Sequence, residues 1–184
     1  MTVKMTADGK SRATTLGALG AACCLALAQS PHAFAQDAPM TMQTLIDRAQ
    51  ISDLLTRYYY NLGHGGADSF SSFYDNDAEL VLGPNSYKGK AGIDSAYKAA
   101  GQAAPGRKAF SFNVSLSNPL IIVHGDTATA QIIFTEVIID IQGAPPRLLE
   151  QGREYDTLVR VNGQWRFKKR QIMAGAQTPE GWTG

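Results

Sequence analysis

Residues 152–170 read GREYDTLVRVNGQWRFKKR, two runs of alternating polar and apolar residues that meet at Asn162-Gly163. An Asn-Gly pair tolerates the positive φ angles of a tight two-residue turn, so the segment predicts two antiparallel strands joined as a hairpin. Side chains of a strand alternate between its faces, which puts Glu154 and Asp156 together and Tyr155 on the opposite side. Arg153, Tyr155, Asp156 and Arg170 are more titratable and hydrogen-bonding groups than a purely structural hairpin requires. Arg170 can neutralise either carboxylate. The plain reading of this group is an ion-paired rim of the sheet; the other is a catalytic or binding site.

Working outward, the preceding pattern is also of long strands, over residues 110–123, 127–141 and 148–161, with the last at 164–173; His124-Gly125-Asp126 and residues 142–147 connect them. Before these, Ile46, Ile51, Leu54, Leu55, Tyr58 and Leu62 recur at three- and four-residue steps, one apolar stripe of a helix that begins near Thr44 and stops at Gly63, Gly65 and Gly66. Residues 67–74 predict a short second helix with Asp68 at its start, 78–82 and 87–89 short strands, and 93–103 a third helix. Helices followed by a strand meander imply an α+β domain, three helices packed on one face of a curved antiparallel sheet.

At the amino end, Lys4, Lys10 and Arg12 precede the apolar run LGALGAACCLALA (16–28), and Ala33-Phe34-Ala35 offers small residues to a leader peptidase. Residues 1–35 are therefore expected to be a secretory signal peptide cut after Ala35, with a periplasmic or secreted product. A run of about 13 residues is too short to span roughly 30 Å of hydrocarbon, so no stable membrane insertion is expected once the leader is gone. The expected organisation is leader 1–35, linker 36–43, domain 44–175 and an irregular tail 176–184 whose Trp182 can fold back over the sheet. Cys23 and Cys24 leave with the leader, which removes disulfide and thiol chemistry. The chain as a whole carries a net charge of +1, which offers nothing to nucleic acid. With His64 and His124 the remaining histidines, and without a His-x-His, HExxH or Cys-x-x-Cys spacing, neither a metal nor a cofactor is expected.

Candidate site residues follow from residue type and placement. Tyr58, Tyr59 and Tyr60 sweep about 300° of the helix circumference at about 100° per residue, so at least one faces the interior. A buried phenol can donate a hydrogen bond to a developing oxyanion. His64 titrates near neutrality and is a candidate general base, whereas His124, in a turn between strands, reads as structural. Asn113 and Ser115 share a strand face and could orient a substrate oxygen.

Taken together, RYYYNLGHGGADSFSSFYDNDAELVL (57–82), SNPLIIVHGDTATAQIIF (117–134) and the 152–170 hairpin resemble the SnoaL-like branch of the nuclear transport factor 2 superfamily, over roughly residues 49–172. The resemblance implies an NTF2-like cone-shaped α+β barrel, a deep apolar pocket between sheet and helices, and a homodimer formed through the sheet. Enzymes of this branch include scytalone dehydratase, bile-acid dehydratase, steroid isomerase, limonene epoxide hydrolase and polyketide cyclases, alongside non-catalytic relatives. Tyr58 matches the family dehydratases' helix tyrosine. Their Asp, five residues on, falls on Gly63, and their strand His falls where this chain has Asn113, Val114 and Ser115, so the Asp-His base is missing.

The expected function is a cofactor-independent lyase or isomerase acting on a small apolar aromatic, steroid or terpenoid molecule, by dehydration or loss of formaldehyde. His64 or a carboxylate of the Glu154/Asp156 pair would take the proton. Tyr58 or Tyr59 would hold the oxygen that gains charge, with Asn113, Ser115, Tyr155 and Arg170 as further substrate contacts. The alternative is a periplasmic small-molecule binding protein of the same fold.

Overall fold

The computed structural model describes residues 40–64, 70–102 and 111–182. The expected leader, its cleavage site and Asp68 lie outside them. Helix α1, Met42–His64, is capped two residues earlier than its apolar stripe suggests: Thr41 Oγ1 accepts the Thr44 main-chain N–H at 3.1 Å, and Thr44 Oγ1 accepts that of Thr41 at 2.8 Å. Ile51, Leu54, Leu55 and Tyr58, spaced i, i+3, i+4 and i+7, are each at most 2% exposed. Ile46 does not join them. It is 42% exposed, and Asp47 takes the buried position beside it, because its carboxylate meets Arg160 of the sheet at 2.7 Å.

A one-turn 3-10 helix, Phe70–Phe73, stands where a short α-helix is expected, and its Ser71 N–H and hydroxyl both donate to the Asp94 carboxylate, at 3.2 and 2.9 Å. Strands β1 (Tyr74–Leu82) and β2 (Asn85–Lys88) follow, then helix α2 (Gly89–Gln102), then β3 (Ser111–His124), β4 (Thr127–Ile139), β5 (Arg147–Val161) and β6 (Gln164–Ala174). One six-stranded sheet has the order β2-β1-β6-β5-β4-β3. The fold is thus the expected α+β arrangement of helices on a curved sheet, with two corrections: two α-helices and a 3-10 turn stand in place of three helices, and β1 runs parallel to β6, so the sheet is mixed and not antiparallel throughout. No alternation pattern carries that information, since it depends on α2 and the long strands intervening between β1 and β6. Among the described residues, no helix is long and apolar enough to cross a membrane.

The β5–β6 turn is built as its sequence demands, with φ of 51° at Asn162 and 77° at Gly163. β3 carries an irregularity that alternation does not predict. Its register with β4 shifts between Ser117 and Leu120, where Asn118 takes a φ of 51° and Pro119 withholds a ladder donor. Gly152 in β5 serves packing rather than turning. A Cβ there would stand 2.5 Å from Phe134 Cζ and closer still to the Met173 carbonyl, so only glycine lets the Phe134 ring lie on the strand.

Candidate functional site

The hairpin register sets the chemistry of the inner sheet face. Asp156 stands opposite Arg170, Glu154 opposite Ile172, and Arg170 opposite Leu80 of β1. Glu154, Asp156 and Arg170 are each 0% exposed. They occupy the centre of the domain, under α1, which corrects the reading of these groups as a rim of the sheet. Arg170 Nη2 is hydrogen-bonded to Glu154 Oε2, while its Nε stands 3.9 Å from Asp156 Oδ1, a charge contact too long for a hydrogen bond. The guanidinium lies 3.9 Å from the centroid of Tyr58, 4.6 Å from that of Phe167 and 5.1 Å from that of Tyr59. An aromatic shell so close to a buried cation offsets part of its desolvation.

The shell is continuous. Tyr58 makes edge contacts with Tyr59, Phe70, Phe73, Tyr74, Tyr97 and Phe167, and the Tyr74 and Tyr97 hydroxyls are 3.4 Å apart. Neither Tyr74 nor Tyr97 stands out in the sequence, since one opens a strand and the other sits in the modest apolar pattern of α2.

Burial drives the electrostatics. It raises both carboxyls, Glu154 against the lowering effect of Arg170 and Asp156 further, well above the usual carboxylate range, because Arg170 is more distant from it and Glu154 adds repulsion. Burial works against the Arg170 charge as well, but the two carboxyls outweigh it and hold the guanidinium protonated. Burial also lifts the Tyr74 and Tyr97 phenols, keeping them proton donors. The cluster is under-bonded: Glu154 Oε1, both Asp156 oxygens, and Arg170 Nε and Nη1 are buried without a hydrogen-bond partner. Such groups in a folded interior are completed by buried water or by a polar ligand.

Of the three consecutive tyrosines, Tyr58 is 1% exposed, Tyr59 6% and Tyr60 63%. Tyr59 forms one wall of a cavity of about 340 Å³ between α1 and β3, lined as well by Thr56, Phe112, Val114 and Leu116. Tyr59 therefore borders both that hollow and the Arg170 guanidinium. Glu136, opposite Val114 in the β3–β4 register, is a half-buried carboxyl raised by burial and then by Glu150; its place in an apolar alternation was the signal for it.

The remaining candidates are not gathered at the cluster. Ser115 is exposed and pairs with Thr135 on the outer sheet face; Asn113, exposed too, borders the cavity at the strand edge. Tyr155 also faces outward. Its hydroxyl donates to the Gln177 carbonyl at 2.8 Å and its ring meets Trp182 at 5.2 Å, so the tail folds over the sheet and Tyr155 anchors it. His64 ends α1, but its side chain lies outside the described residues. His124 closes β3 at an exposed turn, where its carbonyl accepts the Thr127 hydroxyl at 3.0 Å.

Comparison with known proteins bears on the fold. The profile of the SnoaL-like domain family matches residues 43–171. No curated protein sequence matches the chain significantly. Among solved structures, a candidate scytalone dehydratase from Novosphingobium aromaticivorans is 21% identical, with a TM-score of 0.63 over 79% of this chain and 100% of that one. An NTF2-like protein with a cystatin-like fold from the same bacterium is 24% identical, with a TM-score of 0.61 over 72% of this chain and 84% of its own. A candidate aromatic ring hydroxylase, again from that species, is 18% identical, with a TM-score of 0.59 over 72% and 92%. At such identities the likeness is one of fold.

Proposed function

We propose, starting from the fact that this chain belongs to the SnoaL-like domain family, that it is a cofactor-independent lyase or isomerase whose working groups are Glu154, Asp156 and Arg170. The carrying observation is the under-bonded cluster: three carboxyl oxygens and two guanidinium nitrogens, all buried, lack partners. Two carboxyls share one cation, so they favour one proton between them; Arg170 is hydrogen-bonded to Glu154 and stands 3.9 Å from Asp156, which keeps the charge on Glu154 and leaves the proton to Asp156. Glu154 is then the base and Asp156 the acid, two positions apart on one strand face and so about 6.5 Å from each other. In an elimination, Glu154 Oε1 takes the proton from carbon as the double bond forms, and Asp156 delivers its proton to the departing hydroxyl, which leaves as water. Arg170 and the Tyr58 or Tyr59 phenol steady the oxygen that gains charge. This division replaces the absent family Asp-His pair.

Access runs past Tyr59. Rotation of its ring would join the cavity between α1 and β3 to Arg170, and the apolar walls Phe112, Val114 and Leu116 suit an aromatic, steroid or terpenoid body. Incubating the protein with a panel of phenolic and steroidal alcohols, with mass spectrometry of the products, tests the reading. Loss of water or formaldehyde that disappears in Glu154→Gln and Asp156→Asn supports it; turnover undiminished in either folded variant refutes it.

The complete burial of the cluster favours a second reading, a binding protein of the same fold that holds its ligand without turnover. Unchanged ligand co-purifying with the chain would distinguish it. The leader-like residues 1–35 support action outside the cytoplasm, which amino-terminal sequencing of the exported chain would check. A homodimer through the sheet, as the family resemblance implies, would be checked by the mass in solution.

A further inference from the structure

A second hollow, of about 490 Å³, lies between α1 and the β5–β6 turn and shares the exposed Tyr60 with the first. Its floor is apolar and aromatic, made by Leu54, Phe73 and Trp165, and its rim carries Arg57 and Arg166 with neutral amides and hydroxyls. Among the described residues no carboxylate lines it, and neither rim arginine makes an ion pair. Arg57 Nε donates to the Asp53 carbonyl at 3.3 Å, and Arg166 Nη2 to the Gln164 side-chain oxygen at 2.7 Å. Asp47 and Asp126 both bind Arg160 instead, at 2.7 and 3.0 Å, and Arg160 covers the Trp165 ring at 4.5 Å. Two guanidinium groups without an ion pair, beside a floor of Leu54, Phe73 and Trp165, fit a guest that combines an aromatic body with an oxyanion.

We propose that this cleft is a ligand site, separate from the Glu154–Asp156–Arg170 cluster, for a small aromatic compound carrying a carboxylate or a phosphate. Its volume falls within the range of small-molecule pockets, about 300–1,000 Å³. Phe73 is shared by the cleft and the interior, since its ring also meets Tyr58 at 5.6 Å and Tyr58 stacks on Arg170. The proposal does not depend on the turnover proposed for the interior.

Isothermal titration of the full chain with benzoate, phenyl phosphate and neutral phenol tests it. Fluorescence of Trp165 in a Trp182→Phe background gives a local readout, because these are the two tryptophans of the sequence. Saturable binding of at least one anion, with phenol at least about tenfold weaker, is expected, and the stronger anion identifies the headgroup. Arg57→Gln and Arg166→Gln should each weaken the anion by about fivefold or more, and added salt should weaken it further. Both side chains lie at the rim, so circular dichroism of the variants should match the parent. Absence of saturable binding, equal affinity for phenol, or anion binding undiminished in the double variant would overturn the assignment.

Discussion

The Arg170 guanidinium stacks on Tyr58 at 3.9 Å from the ring centroid, joining the last sheet hairpin to the first helix through a cation–aromatic contact at the centre of the domain. A buried arginine that loses its carboxylates, or buried carboxylates that lose their arginine, leave charge without compensation. Arg170→Met should therefore cost about 3–5 kcal/mol of stability, read as a lowered urea midpoint. A cost below about 1 kcal/mol would mean that the cluster is not the closed unit its geometry describes.

Stability should depend on pH in a direction set by Asp156. Its folded pKa lies above the ordinary 3.8, so between the two values the folded state holds a proton that the unfolded chain has released. The contribution is fully present below about pH 4 and declines as pH rises through that window. Urea midpoints measured from acid to neutral pH should decline less steeply in Asp156→Asn than in the parent. Identical slopes would contradict the assignment of the proton to Asp156.

Asp47 should act in the opposite sense. Its hydrogen bond from Arg160, and then that from Gln43, hold its carboxyl below 3.8 in spite of burial, so this anchor contributes above the unfolded pKa and is lost as pH falls through the folded one. Asp47→Asn should cost about 2 kcal/mol at neutral pH, the range for hydrogen bonds to charged groups, and little under strong acid. An equal loss at both pH values would contradict it.

Gly152→Ala should destabilise by about 1–3 kcal/mol, because the new methyl meets the Phe134 ring and the Met173 carbonyl. Phe134→Leu in the same chain should recover part of the loss, since a smaller side chain clears half of the conflict. Thermal melts of the single and double variants would show it, and strict additivity would contradict it.

Much of this fold is legible because the signals are local. Asn162-Gly163 announces its turn by the φ angles those residues tolerate, and Glu154-x-Asp156 shares a face by the period of a strand. Ile51 to Tyr58 marks the buried helix stripe. What is not legible depends on residues far apart in the chain. Nothing near Tyr74 says that β1 lies parallel to β6, and nothing near Arg170 says that α1 will roof it, so the charged trio reads first as an ion-paired rim and only second as a site. Tyr155 looks like a partner of its neighbours until the tail closes over its face. Ile46 satisfies helix periodicity, yet Arg160, more than a hundred residues on, draws Asp47 inward instead.

Tyr59 should control entry. Tyr59→Ala removes the ring that borders both the cavity and Arg170, and so should speed ligand exchange and raise the accessibility of the cluster to solvent, measured as faster hydrogen exchange at the β5–β6 ladder. Unchanged exchange rates would place the route elsewhere.

The most direct test of the central claim is turnover by the Glu154→Gln and Asp156→Asn variants on whichever alcohol of the phenolic and steroidal panel the parent converts. Each variant is expected to lose at least about a hundredfold in rate, as when a general acid or base is removed, while keeping parent-like circular dichroism. Full activity in either folded variant would contradict it.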